Sequence, residues 1–188
     1  MRKVVYSMTM SLDGFVADAE GAIDFTAPDE ELHRFHNERV RGQTSQLLGR
    51  RLYETMLYWD EDAERDPRAT DATLEFAGIW KPLEKIVFSR TLTEVQGTNT
   101  RLAEGTPAEE VERLKAEPGE GDIGVGGADL AAQLLADGLV DDFHLFVAPI
   151  LLGAGTRFFP PLDRRFPLEL VEQREFAGGL QFLRYELV

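Results

Sequence analysis

The chain has 188 residues, of which 43% are hydrophobic and 29% are charged, proportions typical of one globular domain spanning residues 1–188. The 34 acidic and 20 basic side chains leave a net charge of −14, which repels nucleic acid phosphates and anionic lipid. There is no cysteine and no run of roughly 20 apolar residues, so we exclude disulfides, thiolate chemistry and a membrane span, and expect a cytoplasmic protein that binds neither nucleic acid nor membranes.

The first half of the chain shows strand and helix patterns in alternation. Turn signals stand at Asp13-Gly14 and at Gly21, and the charged stretch 60–71 predicts a solvated loop. The predicted elements of this half are a strand at 3–8, a helix from Pro28 to Val40, a strand at 46–49 and a short helix at 50–56.

The second half continues the alternation and ends in a hairpin. A capping box with proline, Thr106-Pro107-Ala108-Glu109, marks one helix start. The predicted elements are a strand at 85–88, a helix from Pro107 to about Glu117, a strand at 122–125, a helix from Ala128 to Asp137, a strand from Asp142, and two strands flanking 177–179. This order predicts an α/β fold with a mostly parallel central sheet and a C-terminal antiparallel hairpin.

The stretch DIGVGGADLAAQLL poses the question of a nucleotide-binding loop. Gly124 and Gly126 form G-x-G, but Asp129 stands where the dinucleotide fingerprint of a Rossmann domain has its third glycine. The stretch is therefore not a Rossmann fingerprint, and another kind of nucleotide loop stays open.

Three predicted strands are followed by groups that bind anions. They are Gly49-Arg50-Arg51, Ser89-Arg90-Thr91, and the pair Gly126-Gly127 with Ala128 opening a helix. Ligands of open α/β sheets bind outside the carboxyl ends of the strands, where backbone N–H groups and guanidinium groups can hold phosphate. Three such junctions predict a ligand with several phosphates, such as a dinucleotide.

Five stretches together resemble the dihydrofolate reductase-like superfamily: MTMSLDGFVA, LLGRRLYE, KIVFSRTL, GVGGADLAAQLL and LVDDFHLFVAPILLGAGTRFF. The closest branch is the C-terminal reductase domain of the bifunctional riboflavin-biosynthesis deaminase/reductase, with its stand-alone relatives. The resemblance implies a dihydrofolate reductase-like three-layer sandwich, NADPH as cofactor, hydride transfer to a small molecule, and a homodimer.

The resemblance also assigns the cofactor contacts. Gly49, Arg50 and Arg51 would hold the phosphates of NADPH, and Ser89 and Arg90 would lie at its adenosine 2′-phosphate.

The remaining cofactor contacts lie nearer the nicotinamide. Gly126, Gly127 and Ala128 would lie against the pyrophosphate and the nicotinamide side, where relatives often have a cis peptide bond. The loop Asp13-Gly14-Phe15-Val16 would cover the nicotinamide.

For the substrate side, the pattern of Glu31 and Phe35 in ELHRF resembles the site where folate reductases place their substrate carboxylate. Burial beside Phe35 would raise the pKa of Glu31 and suit it to bind a ring and aid protonation. Asp24 is a second candidate acid. Both also have ordinary structural explanations, as a first-turn helix residue and a turn residue.

Several alternatives remain open at this point. The substrate is a pterin-like or pyrimidine-like heterocycle, a carbonyl compound, or the 5-amino-6-(5-phosphoribosylamino)uracil of the riboflavin pathway. A non-catalytic nucleotide-binding module would keep the same loops. His33 and His36 suit packing better than metal binding, so we expect no metal site. The apolar HLFVAPILL suits either a dimer edge or a central core strand.

Overall fold

The computed structural model describes residues 2–162 and 164–188. One eight-stranded sheet, ordered β5-β4-β3-β6-β1-β7-β10-β9, organises the fold, and β2 and β8 form a small second sheet. The strands are β1 (Val4–Ser11), β2 (Phe15–Ala17), β3 (Gln43–Gly49), β4 (Glu84–Phe88), β5 (Thr100–Leu102), β6 (Asp122–Gly126), β7 (Asp142–Ala148), β8 (Thr156–Arg157), β9 (Leu168–Glu175) and β10 (Gln181–Leu187).

Helices cover both faces of the large sheet, which confirms the predicted three-layer α/β fold. The fifth and sixth helices pack on one face through Val111, Leu114 and Leu134, while the first, second and fourth pack on the other. The helices are α1 (Glu30–Arg41), α2 (Arg50–Met56), α3 (Tyr58–Glu61), α4 (Asp71–Trp80), α5 (Pro107–Ala116) and α6 (Ala128–Ala136).

The central strands pair in parallel, as is usual for a sheet that helices cover on both faces. β1 pairs in parallel with β6 and with β7, and β3 pairs in parallel with β4 and with β6. All seven residues of β7 are buried. Residues 144–148 of the run HLFVAPILL are therefore core strand, whereas Pro149, Ile150 and Leu151 beyond β7 are exposed, and the expected homodimer stays a prediction.

The predicted C-terminal hairpin is present and completes the sheet. β9 and β10 pair in antiparallel fashion, and β10 pairs with β7. The turn between them contains Gly178 and Gly179 with φ of +74° and +83°, a backbone conformation that glycine adopts without steric cost.

The predicted bounds of the solvated loop at 60–71 are wrong, because helices include the residues at both ends. α3 ends at Glu61, and α4 begins at Asp71 behind a capping box in which Thr70 and Thr73 bond each other's backbone N–H groups. Asp60 accepts hydrogen bonds from Trp80 Nε1 at 3.1 Å and from the backbone N–H of Thr98 at 2.9 Å. The charge of this stretch suggested solvent, but Asp60 serves as an internal acceptor.

Lys85 on β4 is almost completely buried, with 1% of its surface exposed. Its ammonium group donates to the backbone carbonyls of Trp80 at 2.8 Å, Leu83 at 3.0 Å and Lys81 at 3.4 Å. These carbonyls lie at or just beyond the end of α4, where a positive charge is favourable. Burial lowers the pKa of Lys85, and the carbonyl oxygens compensate for part of the lost hydration.

Lys85→Met should lower the free energy of unfolding by about 2–4 kcal/mol, because the carbonyls beyond α4 lose a buried charged donor. Chemical denaturation measures this change. Lys81→Met is the matched control, since Lys81 makes only a surface ion pair with Glu64 and should cost less than about 1 kcal/mol. Equal losses in the two variants would contradict a supporting role for Lys85.

Candidate cofactor and substrate site

The three predicted anion-binding loops lie side by side at one edge of the sheet. β4, β3 and β6 are consecutive in the sheet order and parallel, so their carboxyl ends meet at the same edge. Residues 89–91 follow β4, residues 50–51 follow β3, and residues 127–128 follow β6. The structure thus brings together the residues that the sequence predicts for phosphate binding.

The first two loops are joined by a direct hydrogen bond. Arg50 Nη1 donates to Thr91 Oγ1 at 2.6 Å, and Arg50 Nε donates to Glu54 Oε1 at 2.8 Å. Both Arg50 and Arg90 are exposed. Arg50 therefore projects toward the 89–91 loop from an accessible position.

Ser89 shapes the second loop. Its Oγ accepts the backbone N–H groups of Thr91 at 3.2 Å and Leu92 at 3.0 Å, and it lies 3.4 Å from Thr91 Oγ1. This turn places two hydroxyl groups beside the guanidinium group of Arg50. Hydroxyl and guanidinium donors are the groups that hold phosphate oxygens.

The glycine pair is required by packing and by backbone conformation. A β-carbon at position 126 would overlap the side chain of Leu52 in α2, and Gly127 has φ of +106°, which L residues rarely adopt. Gly127 precedes α6, and a β-carbon there would lie 3.5 Å from the backbone nitrogen of Gly49. The pair therefore lets the β3–α2 and β6–α6 junctions approach closely.

The expected cis peptide bond at the glycine pair is not present. All peptide bonds of residues 2–162 and 164–188 are trans. The positive φ of Gly127 provides the reversal of direction between β6 and α6 without a cis bond.

Arg51 projects to a different place from Arg50. It lines a cavity of about 550 Å³ at the same edge of the sheet. The other lining residues come from the segment after β2 and from the start of β8, and they are Asp18, Ala19, Glu20, Gly21, Gly155 and Thr156. The two guanidinium groups can therefore contact separate parts of one extended ligand.

Asp13 fixes the turn after β1 to the loop after β7. Its carboxylate accepts from the Ser11 hydroxyl at 2.6 Å and from the backbone N–H groups of Gly153 at 2.7 Å and Leu152 at 3.1 Å. The Ser11 hydroxyl, followed by the Gly153 and Leu152 amides, lowers the pKa of Asp13 to about 2. Asp13 therefore positions the 13–16 loop, and a direct contact of this loop with nicotinamide stays a prediction.

The rest of that loop is tied to β8. Gly14, with φ of +86°, accepts through its carbonyl from the N–H of Phe158, and the buried ring of Phe15 lies 4.8 Å from the guanidinium carbon of Arg157. A β-carbon at Gly155 would overlap the carbonyl oxygen of Ala17. These contacts pack the 13–18 segment against residues 155–158, and both segments contribute to the wall of the cavity.

The surroundings of Glu31 differ from the predicted ones. Its side chain is 58% exposed and forms an ion pair of 2.7 Å with Arg174. The Arg174 guanidinium lies 5.1 Å from the ring centre of Phe35, so Arg174 occupies the place beside Phe35. The expected burial of Glu31 is therefore wrong, and its catalytic role stays a prediction that the local geometry does not favour.

Asp24 lies in a 3₁₀ turn (Asp24–Thr26) before α1 and is exposed. It is not among the residues that line the cavity. Its role as a catalytic acid stays a prediction.

The histidines on the α1 face of the sheet pack among aromatic rings. The ring of His36 lies 4.0 Å from that of Phe146, and the ring of His33 lies 5.5 Å from that of Trp59. Burial, reinforced by neighbouring His33 and His144, lowers the pKa of His36 to about 4. Within the described ranges, no three His, Asp or Glu side chains are grouped to hold a metal ion.

Comparison with known proteins identifies the protein family to which the chain belongs. The model of the RibD C-terminal domain family matches residues 2–182, so the chain belongs to this reductase-like family. The chain is 28% identical over 187 residues to the uncharacterized protein YyaP of Bacillus subtilis, covering 98% of this chain and 94% of YyaP. It is also 27% identical to YwjB of the same organism over 96% of this chain and 95% of YwjB.

Solved structures share the fold along the whole chain. A protein assigned to riboflavin biosynthesis from Shewanella sp. PV-4 matches with a TM-score of 0.76 at 21% identity, covering 100% of this chain and 99% of that one. A pyrimidine reductase-like protein from Corynebacterium diphtheriae has a TM-score of 0.66 at 16% identity and is covered to 92%. The deaminase/5-amino-6-(5-phosphoribosylamino)uracil reductase of Thermotoga maritima has a TM-score of 0.67 at 16% identity, and this chain spans 57% of its length.

Sequence reasoning missed the cavity wall formed by Asp18, Glu20, Gly155 and Thr156. The glycines at 153 and 155 signal a bend, but the residues that the bend contacts lie far away in the chain.

No helix in the described ranges has the length and apolar character needed to cross a membrane.

Asp13→Asn should release the 150–153 loop from the turn after β1, because an amide presents only one acceptor oxygen to three donors. Hydrogen exchange of the Leu152 and Gly153 amides should accelerate about tenfold, while Asp137→Asn, at the exposed end of α6, should leave these amides unchanged. Unchanged exchange in Asp13→Asn would contradict the role of Asp13.

The same contacts set a pH dependence. The pKa of Asp13 is lowered on folding, so its stabilising effect is complete above the ordinary carboxyl value near 4 and disappears as the pH falls through about 2. Exchange at Leu152 and Gly153, corrected for intrinsic rates, should rise over this interval.

Proposed function

We propose that the protein is an NADPH-dependent reductase that transfers a hydride to a small heterocyclic or carbonyl substrate. The observation that carries the proposal is the junction of the 49–51 and 89–91 loops through the Arg50–Thr91 hydrogen bond, beside the glycine pair at 126–127. Membership of a reductase-like family supports the reaction class.

In this proposal, the loops divide the cofactor between them. Arg50, Ser89 and Arg90 hold the adenosine 2′-phosphate, and Arg51 contacts the pyrophosphate from the cavity side. Gly126 and Gly127 present backbone to the pyrophosphate without side chains in the way. These local donors are needed because the net charge of −14 opposes binding of an anionic cofactor.

When bound, NADPH supplies a hydride from its nicotinamide ring. The chain contributes alignment of the two rings through the fixed 13–18 and 150–157 segments. Neither Glu31 nor Asp24 lies in a buried position facing the cavity. We therefore assign the proton that accompanies hydride transfer to water that enters through the open cavity.

A second candidate function is the reductase step of riboflavin biosynthesis. It is favoured by the family match and by the fold shared with the Thermotoga maritima reductase, which is named for 5-amino-6-(5-phosphoribosylamino)uracil. It uses the same cofactor site and differs only in the substrate.

The test is titration with NADPH and NADH by quenching of tryptophan fluorescence. The wild-type protein should bind NADPH at micromolar concentration and prefer it to NADH. Arg50→Ala should weaken NADPH binding by about 10- to 100-fold, the value of one charged hydrogen-bonded contact, and leave NADH nearly unaffected. Arg51→Ala should weaken both cofactors, because the pyrophosphate is common to them.

Arg113→Ala is the matched control. Arg113 lies on α5, on the opposite face of the sheet, and its loss removes the same charge. If Arg50→Ala and Arg113→Ala weaken NADPH equally, the effect is one of net charge and the assigned contact is wrong. Binding of NADPH without any oxidation in a screen of pterins, pyrimidines and carbonyl compounds would favour a non-catalytic module.

A further inference from the structure

The segment between β1 and α1 carries only negative charge. Residues 12–29 contain five acidic side chains, and residues 4–33 contain no lysine or arginine. This segment supplies Asp18 and Glu20 to the wall of the cavity. A ligand that enters the cavity therefore passes an acidic surface on this side.

The cations near the segment already have partners. Arg34 forms an ion pair of 2.5 Å with Glu30, and Arg174 forms one of 2.7 Å with Glu31. Arg157 follows Thr156 in β8, but its guanidinium lies 4.8 Å from the centre of the Phe15 ring. Arg34 and Arg174 are thus held by ion pairs, whereas Arg157 is exposed, lies against the Phe15 ring and is not among the residues that line the cavity.

Arg51 is the one cation among the described residues that line the cavity. The proposed function assigns Arg51 to the cofactor pyrophosphate. A phosphate on the substrate would then face Asp18 and Glu20 with no cation to itself. A phosphate monoester carries a charge of about −1.5 to −2 at neutral pH, so the repulsion is substantial.

We infer that the substrate of this cavity carries no phosphate group. The inference rests on the proposed function and specifies its substrate class as a small molecule without a phosphate ester. It separates this chain from the Thermotoga maritima reductase, which is named for a phosphoribosyl compound.

Glu20 is the residue that sets this preference most directly. It is exposed and lines the cavity. Asp18 is less suited to substitution, because its carboxylate accepts the N–H groups of Glu20 at 3.0 Å and Ala22 at 2.7 Å and holds the turn. Changing Glu20 therefore alters the charge of the wall with little effect on its shape.

The experiment measures NADPH oxidation with matched pairs of compounds: a pyrimidine, a pterin and an aldehyde, each with and without a phosphate ester. The first pair is 5-amino-6-(5-phosphoribosylamino)uracil and its product with alkaline phosphatase. For any pair that is reduced, kcat/KM should be about tenfold or more higher for the phosphate-free member. This ratio should shrink as the ionic strength rises, because salt screens exposed charges.

Glu20→Lys should shift the ratio toward the phosphorylated member by about fivefold or more at low ionic strength. Glu112→Lys is the matched control, since Glu112 is exposed on α5 at the opposite face, and it should leave the ratio unchanged. The readout is a ratio within one protein, so it does not depend on the overall activity of a variant.

A higher kcat/KM for the phosphorylated member in the wild-type protein overturns the inference and leaves the reductase proposal intact. An equal shift in Glu20→Lys and Glu112→Lys overturns the role of Glu20. If NADPH binds but no member of any pair is reduced, the reductase proposal itself fails, and the substrate inference fails with it.

Discussion

The candidate site depends on the close approach of two strand–helix junctions at the carboxyl edge of the sheet. Gly126 leaves room for the Leu52 side chain, and Gly127 turns the chain with a positive φ into α6. Because β3 and β6 are neighbours, this approach places the first turn of α2 beside the start of α6. A side chain at Gly126 would displace that of Leu52, and one at Gly127 would be strained by the positive φ.

Charge then decides what this edge can bind. The chain has a net charge of −14, but three arginines are exposed at this edge: Arg50, Arg51 and Arg90. In the segment between β1 and α1, by contrast, all the charged residues are acidic. Positive charge is thus concentrated on the β3 and β4 side of the edge, and negative charge on the side of the β1–α1 segment. A ligand with phosphates at one end and an uncharged group at the other suits this division.

Local patterns in the sequence were sufficient for the parallel sheet, the hairpin and the positions of the three loops after β3, β4 and β6. The capping box at Thr106 and the β6–α6 junction, for example, depend on residues close together in the chain. The three loops lie at one edge of the sheet because β4, β3 and β6 are parallel neighbours. α4 was missed because the charged residues before it concealed a helix start at Thr70.

Contacts between distant residues could not be predicted in this way. The pairing of Glu31 with Arg174 and the bonds from Asp13 to Leu152 and Gly153 each join residues more than 130 positions apart. Glu31 had the expected helix position, but its burial depended on whether Arg174 on β9 reached Phe35. The burial of Lys85 likewise depends on carbonyl partners at and beyond the end of α4, which the strand pattern at 85–88 does not reveal.

If the three loops at the carboxyl edge form one cofactor site, NADPH should protect all of them together. The most direct measurement is hydrogen exchange followed by mass spectrometry, with and without saturating NADPH. Peptides covering 49–52, 89–92 and 126–129 should exchange more slowly with NADPH bound, and exchange in α5 (Pro107–Ala116) on the opposite face should be unchanged. Protection confined to one of these loops, or absent from all three while NADPH is bound, would contradict a single cofactor site.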